Sequence, residues 1–153
     1  MTESAGMTLI AALVNGLSNF TSTGSTPNIT IADWSVLNKG FSNHYAILRP
    51  GPTERPRISM RMRDTQYRTI IEVWQQYVND GTTVVSVIGN ADAIAAQIDK
   101  YRKLGDTGGT IRESDVSGFG EVRTWPADAN TPTWLVREVY VDWKEESTPA
   151  YAE

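Results

Sequence analysis

The sequence contains no cysteine and a single histidine, His44. The first absence removes disulfides, thiolate metal sites and cysteine nucleophiles together. The second leaves an imidazole without a second ligand for a metal, and general-base chemistry needs a partner that no motif supplies. His44 therefore reads as an edge or surface histidine at the start of a short strand. No apolar run approaches the roughly 20 residues that span a bilayer. The first six residues carry Glu3 and no Lys or Arg, so the apolar stretch 7–14 lacks the positive flank of a secretory signal. Without that route, Asn19-Phe20-Thr21 and Asn28-Ile29-Thr30 carry no meaning as glycosylation sites.

Positive charge is also in short supply. There are 18 acidic and 14 basic residues, a net charge of -4, which makes duplex DNA a poor main partner. The glycine-rich stretches lack the residues that would give them chemistry. Gly118-Phe119-Gly120-Glu121-Val122 begins like a nucleotide-binding loop, but Arg123 stands where the third glycine would fall. Gly105-Asp106-Thr107-Gly108-Gly109-Thr110 has no lysine to reach a phosphate and reads as a helix terminator. Asp33, Asp64, Asp80, Asp92, Asp99 and Asp106 follow no metal-loop spacing. No catalytic residue, cofactor or metal ligand is assigned, and the chain is expected not to be an enzyme. Scattered carboxylates meeting in space would be the one route to a different answer.

What is present suits a globular domain. A chain of 153 residues, 40% hydrophobic and 21% charged, forms one domain and buries roughly 70% of its unfolded surface without staples. Ile10, Leu13, Val14 and Leu17 follow helical spacing and predict a helix over 7–20, with Ser4 as N-cap and the polar stretch 21–27 ending it. Residues 29–41 show alternation at Ile29 and Ile31 and no clean period afterwards. A short strand at 45–48 is closed by Arg49-Pro50-Gly51-Pro52, and strict alternation predicts a half-buried strand over 57–63. Residues 67–78 fit a helical stripe by spacing and a strand by composition; the β-branched and aromatic content decides for a strand covered on both faces. Asn79-Asp80-Gly81 is a turn, and a helical pattern runs over 82–104 to a terminator at 106–109. A long strand over 110–125 is interrupted at Gly118 and Gly120, a loop spans 126–132, and a last strand covers 134–143. In that strand Trp134, Val136, Glu138, Tyr140 and Asp142 share one face. Residues 1–6 and 144–153 read as flexible termini. The expected fold is α+β, a mostly antiparallel sheet flanked by two main helices, in a single domain over 1–153.

Two surpluses remain. Arg49, Arg55, Arg57, Arg61, Arg63 and Arg68 crowd one region against only Glu54 and Asp64. They read as a solvated strand face, as salt bridges between subunits with Glu138, Asp142, Glu145 and Glu146, or, least well, as a nucleic-acid contact. The five tryptophans are many for this length, and tryptophan and arginine are both enriched at interface hot spots.

Three stretches carry a resemblance. Tyr67-Arg68-Thr69-Ile70-Ile71-Glu72-Val73-Trp74, the pieces Ala91-Asp92-Ala93-Ile94 and Ile98-Asp99-Lys100-Tyr101, and Trp134-Leu135-Val136-Arg137-Glu138-Val139-Tyr140-Val141-Asp142-Trp143 resemble the tail terminator (tail completion or neck) proteins of long-tailed bacteriophages. The resemblance implies a sheet flanked by helices and a homo-hexameric ring that stops tail-tube growth and meets the head connector. It implies as partners copies of the chain, the tail tube protein and the head–tail connector protein, with DNA only passing through the ring and no membrane. Virion localisation after assembly in the host cytoplasm follows from the same likeness. The family offers no catalytic residue to carry over. The expected subunit or partner contacts are Arg49, Arg55, Arg57, Arg61, Arg63, Glu138, Asp142 and Glu145. Another neck or minor tail ring component, or a small monomeric ligand-binding domain, remains the alternative.

Overall fold

The structure, a computed structural model, describes residues 3–21, 28–40, 42–54, 63–106, 109, 111–128 and 130–147. Its elements in chain order are α1 (Glu3–Asn15), β1 (Ile29–Ile31), a short 3-10 helix (Ser35–Asn38), β2 (His44–Glu54), β3 (Arg63–Gln76), α2 (Asp80–Asp99), β4 (Ile111–Phe119), β5 (Arg123–Trp125) and β6 (Trp134–Ser147). Among the described residues the strands form one sheet in the order β1-β2-β3-β6-β4, with β5 also paired to β6. All pairings are antiparallel except β1 with β2. The fold is the expected α+β arrangement.

The contested stretch 67–78 is a strand up to Gln76, and its position explains why its period was obscured. β3 lies between β2 and β6, and every residue from Thr69 to Gln75 is buried. A strand covered on both faces needs apolar or satisfied side chains at odd and even positions alike, so alternation fades. Its odd positions Ile71 and Val73 join Ala46, Leu48, Val139 and Val141 in the main core. Helix α2 lays Val87, Ala91, Ile94 and Ile98 on this layer, and α1 adds Met7, Ile10 and Val14. Both helices therefore cover the same face of the sheet.

One glycine fixes how closely α1 docks. A Cβ on Gly6 would lie 2.2 Å from the Trp143 indole. That ring cannot retreat easily: it is 1% exposed, stacks on Tyr67 at 4.2 Å between centroids, and donates from Nε1 to Thr69 Oγ1 at 3.1 Å.

Several boundaries differ from the sequence expectation. Helix α1 begins at Glu3, so Ser4 lies in its first turn rather than before it, and the amino-terminal residues from Glu3 onward are not a loose terminus. It stops at Asn15, and Thr21 Oγ1 reaches the Asn15 and Leu17 carbonyls at 2.8 and 2.9 Å, satisfying acceptors the helix leaves open. Strand β2 runs through Arg49-Pro50-Gly51-Pro52 to Glu54, with a register shift between Pro50 and Thr53. β1 pairs only with Ala46, Ile47 and Leu48, so beyond Leu48 the strand is a sheet edge, where proline is tolerated. Helix α2 ends at Asp99 rather than at 104. The chain then tightens through short turns (Tyr101 N to Ile98 O, Leu104 N to Tyr101 O) that bury Leu104 at a φ of 54°. Asn79, read as part of a turn, is the N-cap of α2, its side chain accepting from Thr82 N at 2.9 Å.

The interruption expected at Gly118 and Gly120 is present: β4 and β5 run in the same direction along β6, with a register shift at Val116/Gly118 and a break before Arg123. Residues 144–147, expected in a loose tail, extend β6, because Lys144 and Glu145 pair with β3 on one side and β4 on the other. The alternating strand expected at 57–63 lies outside the described residues except for Arg63, which opens β3.

Candidate functional site

The sheet face turned away from both helices has a different composition. Alternation brings Tyr45, Ile47 and Arg49 of β2 to this face, with Arg68, Ile70, Glu72 and Trp74 of β3 and Trp134, Val136, Glu138, Tyr140 and Asp142 of β6. The β1–β2 connection folds Val36 and Leu37 over Tyr45, Ile47, Trp74, Trp134 and Val136, making a second, smaller apolar cluster.

The register sets Glu72 directly opposite Glu138, a juxtaposition that repels. Arg49 resolves it from the neighbouring strand. Its Nε donates to Glu72 Oε2 at 2.7 Å and its Nη2 pairs with Glu138 Oε2. The remaining oxygens are also engaged. Glu72 Oε1 accepts from Trp34 Nε1 at 2.7 Å and Trp74 Nε1 at 3.1 Å; Glu138 Oε1 accepts from Arg123 Nη2 at 3.3 Å. Burial lowers the Arg49 pKa, but its contacts with Glu72 and Glu138 outweigh that, and it rises above the ordinary arginine value. A guanidinium held this way stays charged, so the cluster carries two positive and two negative groups and no net charge.

A second pair lies further along β3 and β6. Arg68 Nε donates to Asp142 Oδ1 at 2.8 Å, and its guanidinium stands 5.3 Å above the Tyr140 ring. The hydrogen bond from Arg68 is the main reason the Asp142 carboxyl lies below its ordinary pKa; partial burial opposes the shift without cancelling it.

At the other end of the face lies a groove of about 800 Å³. Four of the five tryptophans line it. Trp74 packs edge-on against Trp125 and Trp134 at 6.3 Å each, and Trp34 closes the side nearest the 3-10 helix. Trp74 and Trp134 are buried, whereas Trp34 is 40% and Trp125 55% exposed. Glu72 forms part of the wall and Arg123 part of the rim.

The charges singled out in the sequence divide as follows. Arg49 meets Glu138 inside one chain. Asp142 meets Arg68 in the same way: β2, β3 and β6 are adjacent strands, and alternation turns the charges to one face. Glu145 is 5% exposed. Arg55, Arg57 and Arg61 lie outside the described residues, and Arg63 is described only as the first backbone position of β3. His44 is half-buried at the start of β2; Nε2 donates to the Asn19 carbonyl and its ring stands edge-on to Phe20, which ties down the chain after α1. Sequence reasoning passed over Glu72 and the grouping of Trp34, Trp74, Trp125 and Trp134. The spacing Arg68, Ile70, Glu72, Trp74 carries part of that signal once 67–78 is taken as a strand.

Among the described residues no three His, Asp or Glu side chains are grouped to hold a metal ion, and no helix is long and apolar enough to cross a membrane. Fold and face together define an α+β domain with one sheet face sealed by helices and the other offering charge-balanced, tryptophan-rich surface. No protein-family model matches the chain, and no curated protein matches it.

Proposed function

We propose that this protein is a structural assembly component, a ring-forming tail terminator that ends a phage tail tube and joins it to the head connector. The observation that carries the reading is the open sheet face, where Trp34 and Trp125 remain substantially exposed beside a groove. Partly exposed tryptophans beside buried ones are the residue type that anchors protein contacts. The carboxylates on that face support assembly over catalysis, since Glu72, Glu138 and Asp142 already accept hydrogen bonds from neighbouring side chains. The three stretches that resemble tail terminators also form one physical block: β3 and β6 are neighbours, and α2 packs across both. The groove also favours a second reading, a small monomeric ligand-binding domain, because its size is that of a small-molecule site.

Mixing the purified protein with its tail tube protein and imaging the product by electron microscopy separates the two. Tubes capped at one end by a discrete ring are the expected result. Uncapped tubes, with the protein left as a free monomer, would overturn the terminator role and favour the ligand-binding domain.

A further inference from the structure

The groove and a second exposed feature stand at opposite ends of the sheet. Thr124 pairs with Leu135, close to Trp125 and Trp134 at the groove. Thr53 pairs with Tyr67, which pairs with Trp143. Leu135 and Trp143 are eight residues apart on β6, so the two places are separated by roughly 26 Å along the strand. At the Thr53 end, Pro50, Pro52, Thr53 and Glu54 are exposed along the edge of β2, past the last residue that β1 covers. Pro50 and Pro52 have no N–H to donate, so this edge is poorly suited to adding another strand and instead offers its side chains.

The chemistry of the two ends is complementary. The groove wall is indole, and its cluster of Arg49, Arg123, Glu72 and Glu138 has no net charge, which suits a rigid apolar group better than an ion. Proline is that group: proline-bearing segments dock in aromatic-lined grooves with little conformational entropy to lose. Charge agrees with that fit, because exposed Glu54 ends the proline ridge while Arg123, bound to Glu138 at 3.3 Å but with a side chain 57% exposed, stands at the groove rim with donors left for a second carboxylate. The separation along the sheet prevents a chain from filling its own groove. We infer that the tryptophan groove receives the Pro50-Gly51-Pro52 ridge of a second copy, head to tail. Such a contact is heterologous and leaves a free groove and a free ridge at the two ends of every pair, so it propagates until it closes. This names the subunit contact of the assembly proposed above and rests on that reading for the partner being a copy of the chain.

The absence of native cysteine gives a clean test. Thr53→Cys and Thr124→Cys each place one thiol at an exposed position, and a disulfide forms only when the two Cα atoms come within about 7 Å. Mixed under mild oxidation, the two single variants should yield the Thr53–Thr124 dimer well above either symmetric dimer. The double variant should yield a ladder of multimers, and adding Trp125→Ala should reduce that ladder by about tenfold, as expected for loss of an interface tryptophan. Circular dichroism of each variant checks that the fold is retained. Symmetric dimers alone, or a ladder indifferent to Trp125→Ala in folded protein, would overturn the contact. Tube capping with the unmodified protein separates the two proposals: capped tubes without the mixed cross-link remove this contact and keep the ring, and the cross-link without caps keeps self-docking and removes the tail role.

Discussion

The two faces of one sheet are built on opposite terms. Under the helices, Ile71, Val73, Ile94, Ile98, Val139 and Val141 are fully buried and aliphatic, and buried polar groups there bond one another, the Trp143 indole to Thr69 and Asn90 to Gln75. On the other face the strands carry Arg49, Arg68, Glu72, Glu138 and Asp142, with Trp74 and Trp134 buried and Trp34 and Trp125, from the flanking segments, 40% and 55% exposed. The first face derives its stability from removing apolar area from water, which is non-directional and tolerant of chemistry but not of volume. The second depends on matched donors and acceptors, so it tolerates small changes of volume but not the loss of a partner. Substitutions that exploit this contrast should separate the faces experimentally.

The largest effect should come from the covered face. Ile71→Ala removes a fully buried side chain beneath α2 and should cost about 4 kcal/mol of unfolding free energy, measured by urea denaturation. On the open face, Glu72→Ala removes little apolar contact yet leaves the Trp34 and Trp74 indole N–H groups without their acceptor and Arg49 without one carboxylate. It should cost about 3 kcal/mol. A Glu72→Gln variant as stable as wild type would break the comparison, since the amide keeps the volume and one acceptor oxygen for the indoles but turns a donor toward the Arg49 guanidinium.

Gly6→Ala tests volume rather than chemistry. One added methyl meets an indole pinned by Tyr67 and Thr69, and the clash should cost about 2 kcal/mol. Gly89, on the outer side of α2, is the matching control: its Cβ would meet nothing within 4 Å. Gly89→Ala should stabilise the protein by about 1 kcal/mol through helix propensity alone.

The contrast between the faces also explains what the sequence could disclose. The final strand was legible because β6 alternates openly between aliphatic and polar side chains, and the helical stretch 82–104 showed because α2 has one apolar stripe. β3 was readable only by composition, since burial on both sides erases its period. The proline run ended the expected strand too early because a local breaker cannot announce that its strand has become a sheet edge. The arginines and acids were recognised as complementary, but which arginine meets which acid depends on strand order, and strand order is not a local property. Glu72 was invisible for the same reason: its donors are Trp34 beside the 3-10 helix, Arg49 of β2 and Trp74 two residues along its own strand.

The smallest effect is a dependence on pH. Arg68 holds the Asp142 carboxyl below its ordinary value of 3.8. A carboxyl whose folded pKa is depressed contributes stability that is fully present above its unfolded pKa and is lost as pH falls through the folded one. The contribution should therefore be intact at pH 5 and diminish below about pH 3.9, the value in an unfolded chain. Because Arg68 and Asp142 are about two-fifths exposed, solvent screens the pair and the effect should be slight. Asp142→Asn should flatten the acid limb of a stability-against-pH curve while leaving the groove at the other end of the sheet untouched. Urea midpoints for wild type and Asp142→Asn at neutral pH and near pH 3 measure the difference. Parallel curves would mean that Arg68 holds Asp142 no more tightly than water does.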